Sequence, residues 1–216
     1  MKNKIIIALP KGRISDELIP ILKEAKINAE KEFFNEDSRK LFFNTNYNNL
    51  KLIRVRAFDV ATFVAFGAAQ IGVVGNDVLS EFNYEQIYSV LDLKIGKCRL
   101  SIAKRKGENY DKNSKIGHIM VATKYKSIIT NFYANKGIRA ECIKLNGAIE
   151  LAPKLNMCSV IADLVSSGNT LKENELEETE VLMNITSKLI VNKVAYKVMN
   201  KEISKWIKKF EKVIYA

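Results

Sequence analysis

Short apolar runs alternate along the chain with stretches whose apolar residues recur at helical spacing. Lys4–Leu9 is a continuous apolar run, the pattern of a strand covered on both faces. Pro10–Gly12 breaks it. A helix is expected next, capped at Ser15 or Asp16, with Leu18, Ile21, Leu22 and Ala25 inward and bent or delayed by Pro20. Lys40–Asn44 and Leu50–Val55 read as strands around an Asn-rich turn. Asp59 is placed to cap a second helix with Val60, Phe63 and Val64 inward, Ile71–Val74 to form a buried strand, and Asn76 or Asp77 to open a third helix. Residues 98–104 predict a strand, and Lys104–Lys115 a polar surface loop. Then come a strand over 116–122, a helix over about 124–136 closed by Gly137, and a strand over 141–145. A short helix at 147–155 and strands at 159–164, 179–183 and 187–194 complete the alternation. Val198, Ile203, Trp206, Ile207, Phe210 and Ile214 make the tail an amphipathic helix, better suited to docking on a core or partner than to a membrane. Repeated strand–helix alternation predicts an α/β fold with largely parallel sheets.

Composition narrows the function. The 216 residues are 47% hydrophobic, enough for a sizeable core, and no apolar run reaches membrane-span length. Met1–Leu9 is too short for a leader core, so a cytoplasmic protein is expected. Cys98, Cys142 and Cys158 are odd in number and widely spaced, which disfavours a disulfide framework or a zinc site. The single histidine, His118, reads as a packed or edge-strand residue. The net charge of +11 points to an anionic partner. Arginine is scarce, seven residues against 28 lysines, and five of the seven precede residue 100: Arg13, Arg39, Arg54, Arg56 and Arg99. Because guanidinium suits bidentate phosphate contact, that concentration suggests phosphate recognition. No nucleic-acid-binding signature accompanies the charge.

The strongest chemical signal is Ser159–Leu171. A buried strand ends near Asp163, then small hydroxyl and glycine residues turn into a helix. Backbone N–H groups at such a helix start, with Gly168 allowing close approach and Ser167 and Thr170 adding hydroxyls, suit a phosphate; Asp163 suits sugar hydroxyls. The run is neither a Walker A loop nor GxGxxG.

Ordered blocks then resemble the short form of ATP phosphoribosyltransferase: Leu9–Arg13, Arg56–Val60, Gly67–Gly75 with Asp77–Leu79, Asp92–Leu93, Cys98–Leu100, Val121–Tyr125, Ile143–Gly147, Glu150–Pro153, Asp163–Leu171 and Ser187–Asn192. Departures are Asn156 where the family usually has Gly, Cys158 for a small residue, Ser166 for a common acid and Asn76 for a frequent Lys. The resemblance implies two lobes like a periplasmic binding protein with the active site in the cleft, lobe one at 1–93 plus 185–216 and lobe two at 94–184. It implies condensation of ATP with phosphoribosyl pyrophosphate, the first step of histidine biosynthesis, with magnesium on the substrate phosphates and no protein metal site. Glu150, Asp163, Ser166, Ser167, Gly168, Asn169 and Thr170 are expected to hold the phosphoribosyl group. Lys11, Arg13, Arg39, Arg56 and Asp59 are expected at ATP and the pyrophosphate, with Arg13 and Arg39 acting in the chemical step. Arg54 and Arg99 either join the site or pack the lobes. A homodimer is implied, as is a hetero-oligomer with a regulatory subunit resembling a histidyl-tRNA synthetase; the long form's histidine-binding domain is expected to be missing, and no nucleic-acid or membrane partner is expected. A solute-binding module of the same fold is the competing reading, disfavoured by the lack of a leader.

Overall fold

The computed structural model describes residues 4–35, 37–108 and 117–216. The expected loop Lys104–Lys115 and the start of the expected strand at 116 lie in part outside these residues; of that stretch Lys104 and Arg105 belong to a strand. The chain divides into two compact units, residues 1–79, 83–96 and 186–216, and residues 80–82 and 97–185. The difference from the expected boundaries has local causes. Residues 94–96 are tied to the first unit because Gly96 N donates to Glu17 Oε2 at 2.8 Å and Ser187 N to the Ile95 carbonyl at 2.9 Å. Glu81 instead accepts from Ser127 N and Ile128 N, and Ile185 pairs with Cys98.

The first unit contains β1 (Ile5–Pro10), α1 (Arg13–Glu24), a 3-10 turn at Lys31–Phe34, β2 (Phe42–Asn44), β3 (Leu50–Val55), α2 (Ala57–Ala65) and β4 (Ile71–Gly75). The start of α3 (Asn76–Phe82) follows, then β5 (Ile87–Asp92), β11 (Ser187–Asn192), α7 (Lys193–Val198) and α8 (Asn200–Ile214). Its sheet has the order β2-β3-β1-β4-β11-β5. Only the β3-β1-β4 pairings are parallel; β2, β11 and β5 are added antiparallel. The continuous apolar run of β1 has the cause expected from the sequence. Ile5, Ile7 and Leu9 pack with Leu18, Ile21, Ile203, Trp206 and Phe210 on one face, while Ala8 joins Val60, Ala61 and Val64 of α2 on the other.

The second unit contains β6 (Cys98–Arg105), β7 (His118–Thr123), α4 (Lys126–Asn135), β8 (Arg139–Lys144), α5 (Leu151–Lys154), β9 (Val160–Val165), α6 (Asn169–Glu173) and β10 (Leu176–Ile185). The sheet order is β10-β6-β9-β7-β8, parallel over β9-β7-β8 and antiparallel over β10-β6-β9. Both sheets are therefore mixed: β2–β3 pairs consecutive strands antiparallel, and the other antiparallel pairings join strands far apart in the chain.

Helix starts differ from the sequence expectation by a few residues. The cap of α1 is Gly12, ahead of Ser15 and Asp16, and that of α2 is Arg56, with Asp59 in the first turn. The tail is two helices broken at Met199, and Val198 is 74% exposed while Ile203, Trp206 and Phe210 are buried. Asn156 has φ 57, a left-handed backbone that asparagine tolerates better than most residues.

Candidate active site

In the first unit, register brings three strand exits to one level. Pro10 pairs with Val55 and Ala8 with Gly72, and Lys11 N donates to the Val55 carbonyl at 2.9 Å. Each exit turns directly into a helix, at Gly12, Arg56 and Gly75, and none of the three starts has a side-chain cap. At α3 the Asn76 amide already donates to the Thr186 carbonyl at 3.1 Å, so the first turns of α1 and α2, with their aligned peptide dipoles at the carboxyl edge of parallel strands, are what make this edge receptive to an anion. Gly12 adopts φ 85, which permits the turn between β1 and α1.

The cationic side chains on this edge are exposed. Lys11 is solvent-facing, and Arg13 makes a loose pair, its Nε 4.0 Å from Glu17 Oε1. Arg39 is exposed, as are Arg56 and Asp59. Arg54 differs. It is 7% exposed, donates to the carbonyls of Phe33, Asn35 and Ser38 at 2.9, 3.1 and 3.3 Å, and stacks near the rings of Phe33 and Phe43. It thus anchors the segment that leads to Arg39. Arg54 also borders a cavity of about 230 Å3 with Lys11, Gly12, Ser15 and Asp16; Arg39 does not line it.

In the second unit the parallel strands β8, β7 and β9 likewise exit at one edge. The Thr123 hydroxyl donates to the Ala162 carbonyl at 2.8 Å and accepts from Tyr125 N at 3.0 Å, locking the β7 exit against β9. Asp163 sits half-buried near the end of β9 and accepts from Leu164 N at 2.8 Å. Burial pushes its carboxyl up to about 6, the negative charge of Glu150 adds to the rise, and Lys124 opposes it. Glu150 and Lys124 follow β8 and β7, so strand order brings these three ionisable groups within electrostatic reach.

The turn Ser166–Gly168 then reverses the chain, with Gly168 at φ 82, a conformation open to glycine and strained for other residues. Ser167 Oγ accepts weakly from Asn169 N at 3.4 Å, and Asn174 donates to the Thr170 carbonyl at 2.9 Å. Ser166, Ser167, Asn169 and Thr170 are exposed. The helix is only five residues long, so its dipole is far smaller than the sequence pattern suggested, and the turn's amides and hydroxyls remain as its anion-binding elements. Arg99 supports the turn from behind, donating to the Ser166 carbonyl at 3.1 Å while gripping Glu178. A cavity of about 500 Å3 is lined by Arg99, Ser167, Gly168, Lys172 and Glu178 among others.

Sequence reasoning missed Lys124 and Glu178. Lys124 had a signal, its place at a strand exit within a recognised block; Glu178 had none, because its role comes from strand pairing. His118 starts β7, exposed, with Nε2 3.4 Å from Glu141. Of the cysteines only Cys158 is fully buried; burial pushes the Cys142 and Cys158 thiols up. No helix among the described residues is long and apolar enough to cross a membrane.

Comparison with known proteins adds to this geometry. Residues 56–212 match the family described as HisG, ATP phosphoribosyltransferase. The chain is 52% identical over 215 residues to the ATP phosphoribosyltransferase of Rhodospirillum rubrum, covering 99% of this chain and 95% of that protein. It is 47% identical over 196 residues to that of Neisseria meningitidis serogroup C, covering 90% and 89%. The ATP phosphoribosyl transferase (HisG:HisZ) complex from Thermotoga maritima contains a chain of TM-score 0.84 and 27% identity, with 98% of each chain covered. The periplasmic VFT2 domain of Bordetella pertussis BvgS, at 10% identity and TM-score 0.58, shares the fold and covers 98% of this chain. With half its residues identical to a relative that it matches almost end to end, and with the family model matched over residues 56–212, this chain belongs to the ATP phosphoribosyltransferase family.

Proposed function

We propose that this chain condenses ATP with phosphoribosyl pyrophosphate, giving phosphoribosyl-ATP and pyrophosphate, as the first step of histidine biosynthesis. A ring nitrogen of adenine attacks the anomeric carbon with its own lone pair while the bond to pyrophosphate breaks. The attacking atom needs no side-chain base. The reaction needs orientation of two polyanions and stabilisation of the charge that gathers on the leaving group. The observation that carries this reading is the pair of strand-exit edges, one in each unit, with exposed cations and uncapped helix starts in the first and the Ser166–Thr170 turn beside Asp163 in the second.

In this reading Ser167, Gly168, Asn169 and Thr170 receive the 5-phosphate, and Asp163, with Glu150, accepts hydrogen bonds from the ribose hydroxyls. Lys11, Arg13, Arg39 and Arg56 meet the phosphates of ATP and the leaving pyrophosphate, and Asp59 lies in the first turn beside them. Magnesium arrives on the substrate phosphates. The complex of the Thermotoga maritima relative supports assembly with a separate HisZ-like subunit, and a homodimer and a cytoplasmic location belong to the same reading.

The test is single-turnover kinetics with ATP, phosphoribosyl pyrophosphate and magnesium. The parent chain forms phosphoribosyl-ATP. Arg13→Ala and Arg39→Ala slow the chemical step more than they weaken substrate binding, because their contacts strengthen as the anomeric bond breaks. A chain that forms no product, with or without its HisZ-like partner, refutes the reading. A chemical step unchanged in both variants removes only the arginine assignments.

A further inference from the structure

Arg99 is the second residue of β6, and its backbone pairs with Val165 of β9 on one side and Asn184 of β10 on the other. It therefore sits level with the strand end from which the Ser166–Gly168 turn departs. Its guanidinium makes a two-point grip on Glu178, with Nε 2.6 Å from Oε1 and Nη2 2.6 Å from Oε2, while Nη1 donates to the Ser166 carbonyl at 3.1 Å. Glu178 is held in turn by the hydroxyl of Ser101, a fully buried residue, at 2.6 Å. The result is a chain of contacts from a buried hydroxyl through a carboxylate and a guanidinium to the backbone of the turn.

Two features separate this guanidinium from an anion ligand. Its charge is already neutralised by a short bidentate carboxylate, which leaves little net attraction for a phosphate. Its third nitrogen, Nη1, donates to a backbone carbonyl, a contact that places the turn. The turn needs such support: it contains a residue at positive φ, and the helix that follows is five residues long. Holding a binding turn in its bound geometry before the ligand arrives raises affinity by reducing the ordering cost of binding.

We propose that Arg99 is a positioning residue for the phosphoribosyl substrate, with Glu178 as the group that aims it. The proposal rests on the reading that the Ser166–Thr170 turn receives the phosphoribosyl phosphate. Arg99 acts through the Ser166 carbonyl, so removing either member of the pair frees the turn. Lysine at this position keeps the charge but loses the fork, and so loses either Glu178 or the carbonyl.

The experiment is calorimetry on the full chain, titrated with phosphoribosyl pyrophosphate and magnesium and separately with ATP. Glu178→Gln, which keeps shape, accompanies Arg99→Ala and Arg99→Lys, with circular dichroism establishing that each is folded. Arg99→Ala and Glu178→Gln should each weaken phosphoribosyl pyrophosphate binding about five- to tenfold, with ATP affinity held within about twofold, and Arg99→Lys should recover part of the loss. A guanidinium that touched the phosphate directly would be released by Glu178→Gln, and binding would tighten; that sign overturns the proposal. Equal losses for both ligands, or parental affinity in all three variants, overturn it as well. If the parent chain does not bind phosphoribosyl pyrophosphate, the assignment of the turn itself fails, and that is seen before any variant is compared.

Discussion

At the scale of single residues, the informative group is Asp163. Its carboxyl is raised from 3.8 to about 6, chiefly by burial, with Glu150 adding repulsion and Lys124 opposing it. A carboxyl that binds its proton more tightly when folded contributes stability that is present at low pH and lost as the pH rises from 3.8 to about 6. For ligand binding the sign is opposite, because the ionised form accepts from hydroxyls on both oxygens and with charge-assisted strength. Phosphoribosyl pyrophosphate should therefore bind less tightly as pH falls through 6, and more steeply in the parent than in Asp163→Asn. The substrate's own phosphate titrates near the same pH in both proteins, so the difference between the two profiles isolates the carboxyl. Parallel profiles would remove Asp163 from the site. Arg54 and Arg99 make the complementary point. Both are candidate ligands from composition, and both spend several donors within their own units: Arg54 on three carbonyls, with its buried Nε left without a partner, and Arg99 on Glu178 and the Ser166 carbonyl.

At the scale of elements, the last helix shows how much of a docking surface a pattern can specify. Its apolar face, Ile203, Trp206 and Phe210, is buried in the first unit beside Leu18 and Ile21 of α1. Tyr47 meets the Trp206 ring edge-on at 5.0 Å, and Lys209 Nζ donates to Tyr47 Oη at 2.7 Å and to the Ala25 carbonyl at 3.2 Å. The face that a membrane would have taken is filled by the protein's own core. Trp206→Ala should cost about 3–5 kcal/mol in urea unfolding, the range for truncating a large buried aromatic. Val198→Ala, on the exposed α7, should stay within about 0.5 kcal/mol. Comparable losses in the two variants would contradict the docking of α8.

At the scale of the whole molecule, a net charge of +11 acts on substrates before any contact forms. Both proposed substrates are polyanions, so long-range attraction raises their encounter rate and salt screens it. The value of kcat/KM for each substrate should fall as ionic strength rises from about 0.01 to 0.15 M, over which the screening length shrinks roughly fourfold. The single-turnover rate at saturation should change little, because groups held in contact are screened much less. A salt-independent kcat/KM would show that the charge serves another purpose.

Much of the protein was already written along the chain. Apolar runs and helical spacings placed most of the strands and helices, because burial on two faces or one leaves a period that a linear reading detects. The Ser166–Thr170 turn, the Lys11–Arg13 turn and the family resemblance were equally legible, since each depends on residues adjacent in sequence. The β5 strand escaped, as Tyr88 and Ser89 are both exposed, so its burial neither alternates nor forms a continuous apolar run. Strand direction was decided only in three dimensions: hydrogen bonding between segments far apart made both sheets mixed, and a local pattern carries no record of its partner. The roles of Arg54 and Arg99 were decided there too. A guanidinium looks the same in sequence whether it faces a phosphate, three carbonyls or a glutamate 79 residues away, and only the tertiary structure determines which acceptors stand within its reach.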